Sequence, residues 1–175
     1  MLANSFSAEL NEHCRVLILG SMPGIVSMNE AQYYAHARNA FWPIMRSLLG
    51  MNESTELTYQ QRLQRLKQQG IGLWDVYRQC FREGSLDSAI EIKTAEFNAM
   101  SELIEALPNL QCIACNGQAA GKAFKRLCKD QGITLELRGI ETIILPSTSP
   151  AYAAMPFEKK LNEWQALNHF LTRES

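Results

Sequence analysis

Short unbroken apolar runs alternate along this chain with longer stretches whose apolar residues recur at helical spacing. RVLIL at 15–19 reads as a buried strand, and GSMPG turns the chain out of it. In AFWPIMRSLLG at 40–50, Phe41, Ile44, Leu48 and Leu49 form a helical stripe. Asn39 stands where an N-cap belongs, Pro43 fits the first turn, and Gly50 stops the helix. Thr58 and Gln61 have capping-box spacing for a helix ending at Gly70, after which IGLWDV at 71–76 is a second strand. Thr94 can cap a helix carrying Phe97, Met100, Leu103, Ile104 and Leu107, which Pro108 terminates. LQCIAC at 110–115 is a third strand, and Asn116-Gly117 turns it into a helix over 118–131. ITLEL at 133–137 and IETIIL at 140–145 predict two further strands around Gly139, the last opening into PSTSPAYA. Leu161, Trp164, Leu167 and Leu171 mark one side of a closing helix.

Strands joined by helical crossovers imply a parallel sheet covered on both faces. The expected fold is a three-layer α/β/α sandwich around a central, mainly parallel sheet of four to five strands, in a single domain spanning 1–175. With 175 residues, 46% of them hydrophobic, the chain can close one sizeable core. No stretch approaches the roughly 20 apolar residues of a membrane span, and MLANSFSAELNEHC lacks the basic end and apolar run of a signal peptide. The expected setting is the cytoplasm, with no membrane contact. The five cysteines form an odd set, expected to be reduced. Cys112 and Cys115 sit three apart in a strand, so they point to opposite faces, which argues against shared metal ligation and for buried core thiols. No metal and no cofactor are expected.

The net charge of −1 does not advertise a nucleic-acid binder. Lys122, Lys125, Arg126 and Lys129 nevertheless share one face of the 118–131 helix, either a local phosphate-binding patch or an ordinary solvated face. Ligands of open α/β sheets bind outside the carboxyl ends of the strands. GSMPG, Asp75, Asn116-Gly117 and PSTSP all fall there, and so does the loop QYYAHARN at 32–39. Gly20, Gly24 and Gly117 allow close backbone approach, Ser21, Ser147 and Ser149 supply hydroxyls, and Tyr33 and Tyr34 offer flat faces. These features suit a cleft for an anionic or planar ligand. Each has a plainer reading: GSMPG as a tight turn, Asn39 as a cap, His36 as a surface histidine, and the tyrosines as rim packing.

The ordered set GSMPG, YAHARNAFW, GIGLWDV, the CNG turn and LPSTSPAYA resembles the uracil-DNA glycosylase superfamily, most closely its hypoxanthine-DNA (deoxyinosine) glycosylase branch. The resemblance spans about 15–155, with YAHARNAFW its most specific piece. It implies a DNA substrate containing a deaminated base, extruded from the stack. The turn of Gly20, Ser21, Met22, Pro23 and Gly24 would lie against the flipped base and its sugar. Many members carry an asparagine or an acid in that turn, whereas this chain has Met22. The resemblance therefore places the catalytic asparagine at Asn39 and the stacking aromatic at Tyr34. The last motif has no histidine, since PSTSP stands where relatives often have HPS.

The implied reaction is hydrolysis of an N-glycosidic bond through an oxocarbenium-like transition state beside a departing base anion. Asn39 could orient water through its oxygen or hold a base carbonyl through its NH2, and Asp75 could deprotonate or support that water. Asn116, Ser147 and His36 complete the substrate set. Arg38, Lys122 and Ser149 would face phosphates, and Tyr152 would wedge into the stack. No lysine stands at the Asn39 or Met22 positions to form a Schiff base, so a monofunctional enzyme, expected as a monomer, is implied. Three alternatives stay open: a mismatch-specific uracil/thymine-DNA glycosylase, a non-catalytic lesion binder, and a nucleotide-binding domain using GSMPG as a phosphate loop.

Overall fold

The computed structural model describes residues 1–52 and 54–171. Its strands are β1 (Leu2–Asn4), β2 (Val16–Gly20), β3 (Ile71–Asp75), β4 (Tyr77–Phe81), β5 (Glu96–Phe97), β6 (Cys112–Asn116) and β7 (Glu141–Leu145). Its helices are α1 (Ile25–Glu30), α2 (Phe41–Leu48), α3 (Tyr59–Gln68), α4 (Met100–Glu105), α5 (Gln118–Gln131) and α6 (Phe157–Trp164). Four strands form an all-parallel sheet in the order β3-β2-β6-β7. Because β2 and β6 are covered on both faces, their runs are continuously apolar and buried to the penultimate residue.

The two faces hold separate cores. Leu17, Leu19, Ile113 and Cys115 pack under α4 and α5, while Val16, Ile18, Cys112 and Ala114 pack under α2, α3 and α6. Cys112 and Cys115 thus lie on opposite faces, as the period of a strand requires. The α/β/α sandwich and its four-stranded parallel sheet agree with the hydrophobic pattern.

Thr58 caps α3 with a complete capping box: its side chain accepts from Gln61 N at 3.2 Å, and Gln61 Oε1 accepts from Thr58 N at 2.9 Å. Thr58→Ala is expected to cost about 1 kcal/mol of stability. A lowered Tm with unchanged activity is the result that checks it.

Two expectations are corrected, and a second sheet is added to the one expected. ITLEL is no strand: Leu135–Arg138 is a 3-10 turn ended by Gly139 at φ +65°. Its alternation is satisfied by burying Leu135 and leaving Leu137 in solvent, while Arg138 donates to the carbonyls of Ile104 and Leu107 and ties the segment to the end of α4. Thr94 does not cap a helix that includes Phe97. It lies in a 3-10 turn, accepting from Phe81 N and donating to Glu91 O, and Phe97 pairs with β4 and stacks on Tyr77. The helix begins only at Met100, after Ala99. Finally, β1, β4 and β5 form a second, antiparallel sheet whose strands are too short and too polar on one face to show as apolar runs.

Candidate active site

A cavity of about 420 Å³ opens at the carboxyl ends of β2, β3 and β6. It is floored by Gly20, Asp75 and Asn116, the last residues of those strands, and walled by residues 20–24, Tyr34, His36, Arg38, Asn39 and 147–149. The parallel register sets Gly20 beside Asp75. A Cβ at position 20 would lie 2.7 Å from Asp75 Oδ1, so only glycine lets the carboxylate turn inward. Gly117, at φ +95°, plays the same part on the other side, where a Cβ would lie 2.9 Å from Ser147 Cβ.

Asp75 is 3% exposed, and its Oδ2 has no hydrogen-bond partner among the described residues. Burial pushes its carboxyl up to about 7; the nearby charge of Asp87 pushes the same way, and Arg82 opposes both. Burial also raises Asp87, which accepts a hydrogen bond from Ser21 Oγ. The cleft therefore contains a carboxyl that changes charge near neutral pH.

Asn39 does not sit at the N-cap of α2, a position taken by Ala40. Its Oδ1 still accepts from Phe41 N at 2.9 Å, an Asx-type turn that leads the chain into the helix. That bond leaves the Nδ2 hydrogens without a protein acceptor among the described residues. Tyr34 adopts a left-handed φ of +56°, which turns its ring against Phe41, 4.0 Å between centroids and 24° from parallel. Burial raises its hydroxyl pKa, keeping it a neutral donor. Tyr33 is structural by comparison: it is buried, its hydroxyl donates to Ser7 O, and its carbonyl accepts from Trp42 Nε1.

Met22 is 7% exposed and packs into the core, so the turn offers the cavity no polar side chain at that position. Ser147 Oγ and Ser149 Oγ accept from the backbone amides of Ser149 and Ala151, at 3.2 Å each, which leaves both hydroxyl hydrogens available. His36 Nδ1 accepts from Arg38 N at 3.1 Å, and Arg38 itself is exposed on the rim. Asn116 lines the cavity but pairs with Thr148 through both polar atoms, at 2.9 and 3.0 Å. Lys122 lies on the exposed face of α5, outside the cavity lining. Tyr152, 39% exposed, borders a neighbouring cavity of about 470 Å³, with Lys160 Nζ 5.1 Å above its ring. Among the described residues, no group of three histidines, cysteines or acids is placed to hold a metal.

The family profile of the uracil DNA glycosylase superfamily matches residues 8–172. The chain belongs to that superfamily. Two relatives named hypoxanthine DNA glycosylase agree with it. The Methanosarcina acetivorans protein is 36% identical over 167 residues, covering 95% of this chain and 98% of that protein. The Methanosarcina barkeri protein is 38% identical over 151 residues, covering 86% and 89%. The fold matches the solution NMR structure of a uracil-DNA-glycosylase-like protein from M. acetivorans with a TM-score of 0.75 at 34% identity, over 97% of this chain and all of that one. The resemblance carried by GSMPG and YAHARNAFW is borne out.

In this member of the superfamily three residues that the sequence did not single out hold the loops of the cavity, and a fourth, Lys160, holds Tyr152 beside the neighbouring one. Arg82, 1% exposed, donates to the carbonyl of Pro23 and supports the 20–24 turn from beneath. Thr148, equally buried, clamps the last loop to Asn116 and through its carbonyl to Ala40 N. Asp87 reaches Ser21 from a segment without hydrophobic pattern, and Lys160 donates to Tyr152 O at 2.7 Å. Arg82, Asp87 and Lys160 lie in polar stretches, where nothing local distinguishes a buried group from a solvated one.

Proposed function

We propose that this chain is a monofunctional DNA glycosylase of base excision repair that hydrolyses the N-glycosidic bond of a deaminated base, hypoxanthine first among them. The observation that carries the reading is the cavity itself. It places an unpartnered, buried Asp75 carboxyl and the Asn39 carboxamide in one space, beside a tyrosine ring held by stacking on Phe41. The names of the two Methanosarcina relatives support hypoxanthine as the base.

Water adds to C1′ as the C1′–N bond breaks and its electron pair leaves with the base, so positive charge grows on the sugar and negative charge on the purine. Asp75, as carboxylate, takes the water proton and faces the oxocarbenium. Asn39 holds the base through its free NH2, since its oxygen is already engaged by Phe41 N. The Tyr34 ring stacks on the extruded base. Arg38, Lys122, Ser147 and Ser149 hold phosphates, and His36 lies beside the sugar, so affinity falls with added salt. Tyr152 enters the base stack. The chemistry requires no metal or cofactor, and the enzyme acts as a monomer in the cytoplasm.

The deciding experiment incubates the protein with labelled oligonucleotides carrying one deoxyinosine, uracil or ethenocytosine, then cuts abasic sites with alkali. Cleavage at deoxyinosine above the other two is the expected result. Cleavage confined to uracil transfers the chain to the mismatch-uracil reading, and lesion binding without base release makes it a lesion binder.

A further inference from the structure

Besides Asp75, the wall of the cavity contains one other carboxyl among the described residues, that of Asp87. Asp87 opens a 3-10 turn, Asp87–Ala89, in the polar segment between β4 and β5. That segment is closed on itself by an antiparallel bridge between Arg82 and Ile90, and it is fastened to the start of α1, where Ser85 Oγ accepts from Ile25 N at 2.9 Å. Asp87 Oδ1 accepts from Ser21 Oγ, whereas no described residue donates to Oδ2. The residue is exposed, so this second oxygen is open to whatever enters the cavity. Its negative charge raises the pKa of both Asp75 and the Tyr34 hydroxyl, which places it close to the groups that would meet the sugar and the base.

We infer that Asp87 reads deamination: its carboxylate accepts the ring N–H that a base acquires when its exocyclic amine becomes a carbonyl. The inference rests on the glycosylase reading and extends it to the choice of base. Adenine offers a lone pair at N1 and an amine beside it, whereas hypoxanthine offers an N–H at N1 and a carbonyl beside it. Cytosine and uracil differ in the same way. An ionised carboxylate only accepts. The Asn39 carboxamide has only its NH2 to offer, because Phe41 N holds its oxygen. One acceptor and one donor on the same cavity wall complement the edge of a deaminated base and oppose the edge of its parent at both atoms. Ser21 donates to one carboxylate oxygen, and so favours the ionised form while it aims the other oxygen. With adenine bound, that oxygen would lose its water and face a lone pair, which costs more than a contact merely absent. Guanine shares the N–H and carbonyl of hypoxanthine, but full pairing with cytosine keeps it in the stack.

The test measures single-turnover release from oligonucleotides carrying hypoxanthine or unsubstituted purine at one position opposite thymine. Purine keeps the lone pair at N1 and has only hydrogen beside it, so it isolates the atom that Asp87 addresses. Asp87→Asn keeps an oxygen for Ser21 and puts an NH2 in place of the other. The wild-type protein is expected to release hypoxanthine about 10²-fold faster than purine. In Asp87→Asn, hypoxanthine release falls about 10–10²-fold while purine release does not fall, and the preference is lost. Equal losses on both bases, as a merely structural role would give, or an unchanged preference overturn the inference. A second measurement compares the affinities of Asp75→Asn, with and without Asp87→Asn, for the same two oligonucleotides. If the wild-type protein releases no base from either, the glycosylase reading fails, and these affinities still decide the role of Asp87. A preference for hypoxanthine that Asp87→Asn removes upholds it, and an unchanged ratio overturns it.

Discussion

Asp75→Asn lowers base release by about 10²–10⁴-fold, the range expected when a positioned acid-base group is lost. The pH profile gives the more specific signature. Asp75 must be ionised to accept a proton from water, and its carboxyl sits near 7. Wild-type kcat/KM therefore rises as pH increases through about 7 and then levels off, whereas the variant gives a low profile without that rise. A variant that keeps the wild-type rate removes Asp75 from the chemistry. Stability moves the opposite way. The folded-state value lies above the ordinary 3.8, so the native state holds this proton more tightly than the unfolded chain. Ionisation then costs stability progressively from about pH 4 to pH 7, with the whole penalty, of the order of 4 kcal/mol, present above that window. Asp75→Asn, which cannot ionise, unfolds at a higher temperature than wild type at pH 8, and the difference shrinks toward pH 4. A gain in stability with a loss of activity would mark Asp75 as a group retained for chemistry.

Asn39→Asp separates the two jobs of one side chain. The substituted carboxylate keeps an oxygen for Phe41 N, so the entry into α2 is preserved and Tm changes little. It removes the NH2, and with it the donor proposed to hold the base. Release of hypoxanthine should fall about 10²–10³-fold, the cost of deleting one preorganised donor to developing charge. Asn39→Ala loses both functions, and with them about 1 kcal/mol of stability. If Asn39→Asp retains wild-type activity while Asn39→Ala does not, the oxygen does the work, and Asn39 orients water in place of holding the base.

Parallel strands buried on both faces are legible because their residues are apolar up to the last position, where the chain leaves the sheet. β2, β3 and β6 carried that mark, and their carboxyl ends located the cavity before any contact was known. YAHARNAFW was legible for a different reason: aromatic and polar groups crowd a short loop at the same rim. The sandwich, the superfamily and the rim bearing Gly20, Tyr34, Asn39 and Asp75 were therefore determined by the sequence itself. Tertiary structure alone decided the rest. ITLEL alternates like a strand, yet Arg138 binds carbonyls at the end of α4 and holds it as a turn. Asn116 is read from the sequence as a cavity residue, and only the fold shows Thr148 holding it there through both its polar atoms. Asp87 and Arg82 gain their roles from contacts with the first turn, across a sequence separation of about sixty residues. Apolar burial leaves a periodic trace in the chain because it repeats with the backbone. A buried charge or a hydrogen bond between distant loops leaves none, because its partners are brought together only by the packed fold.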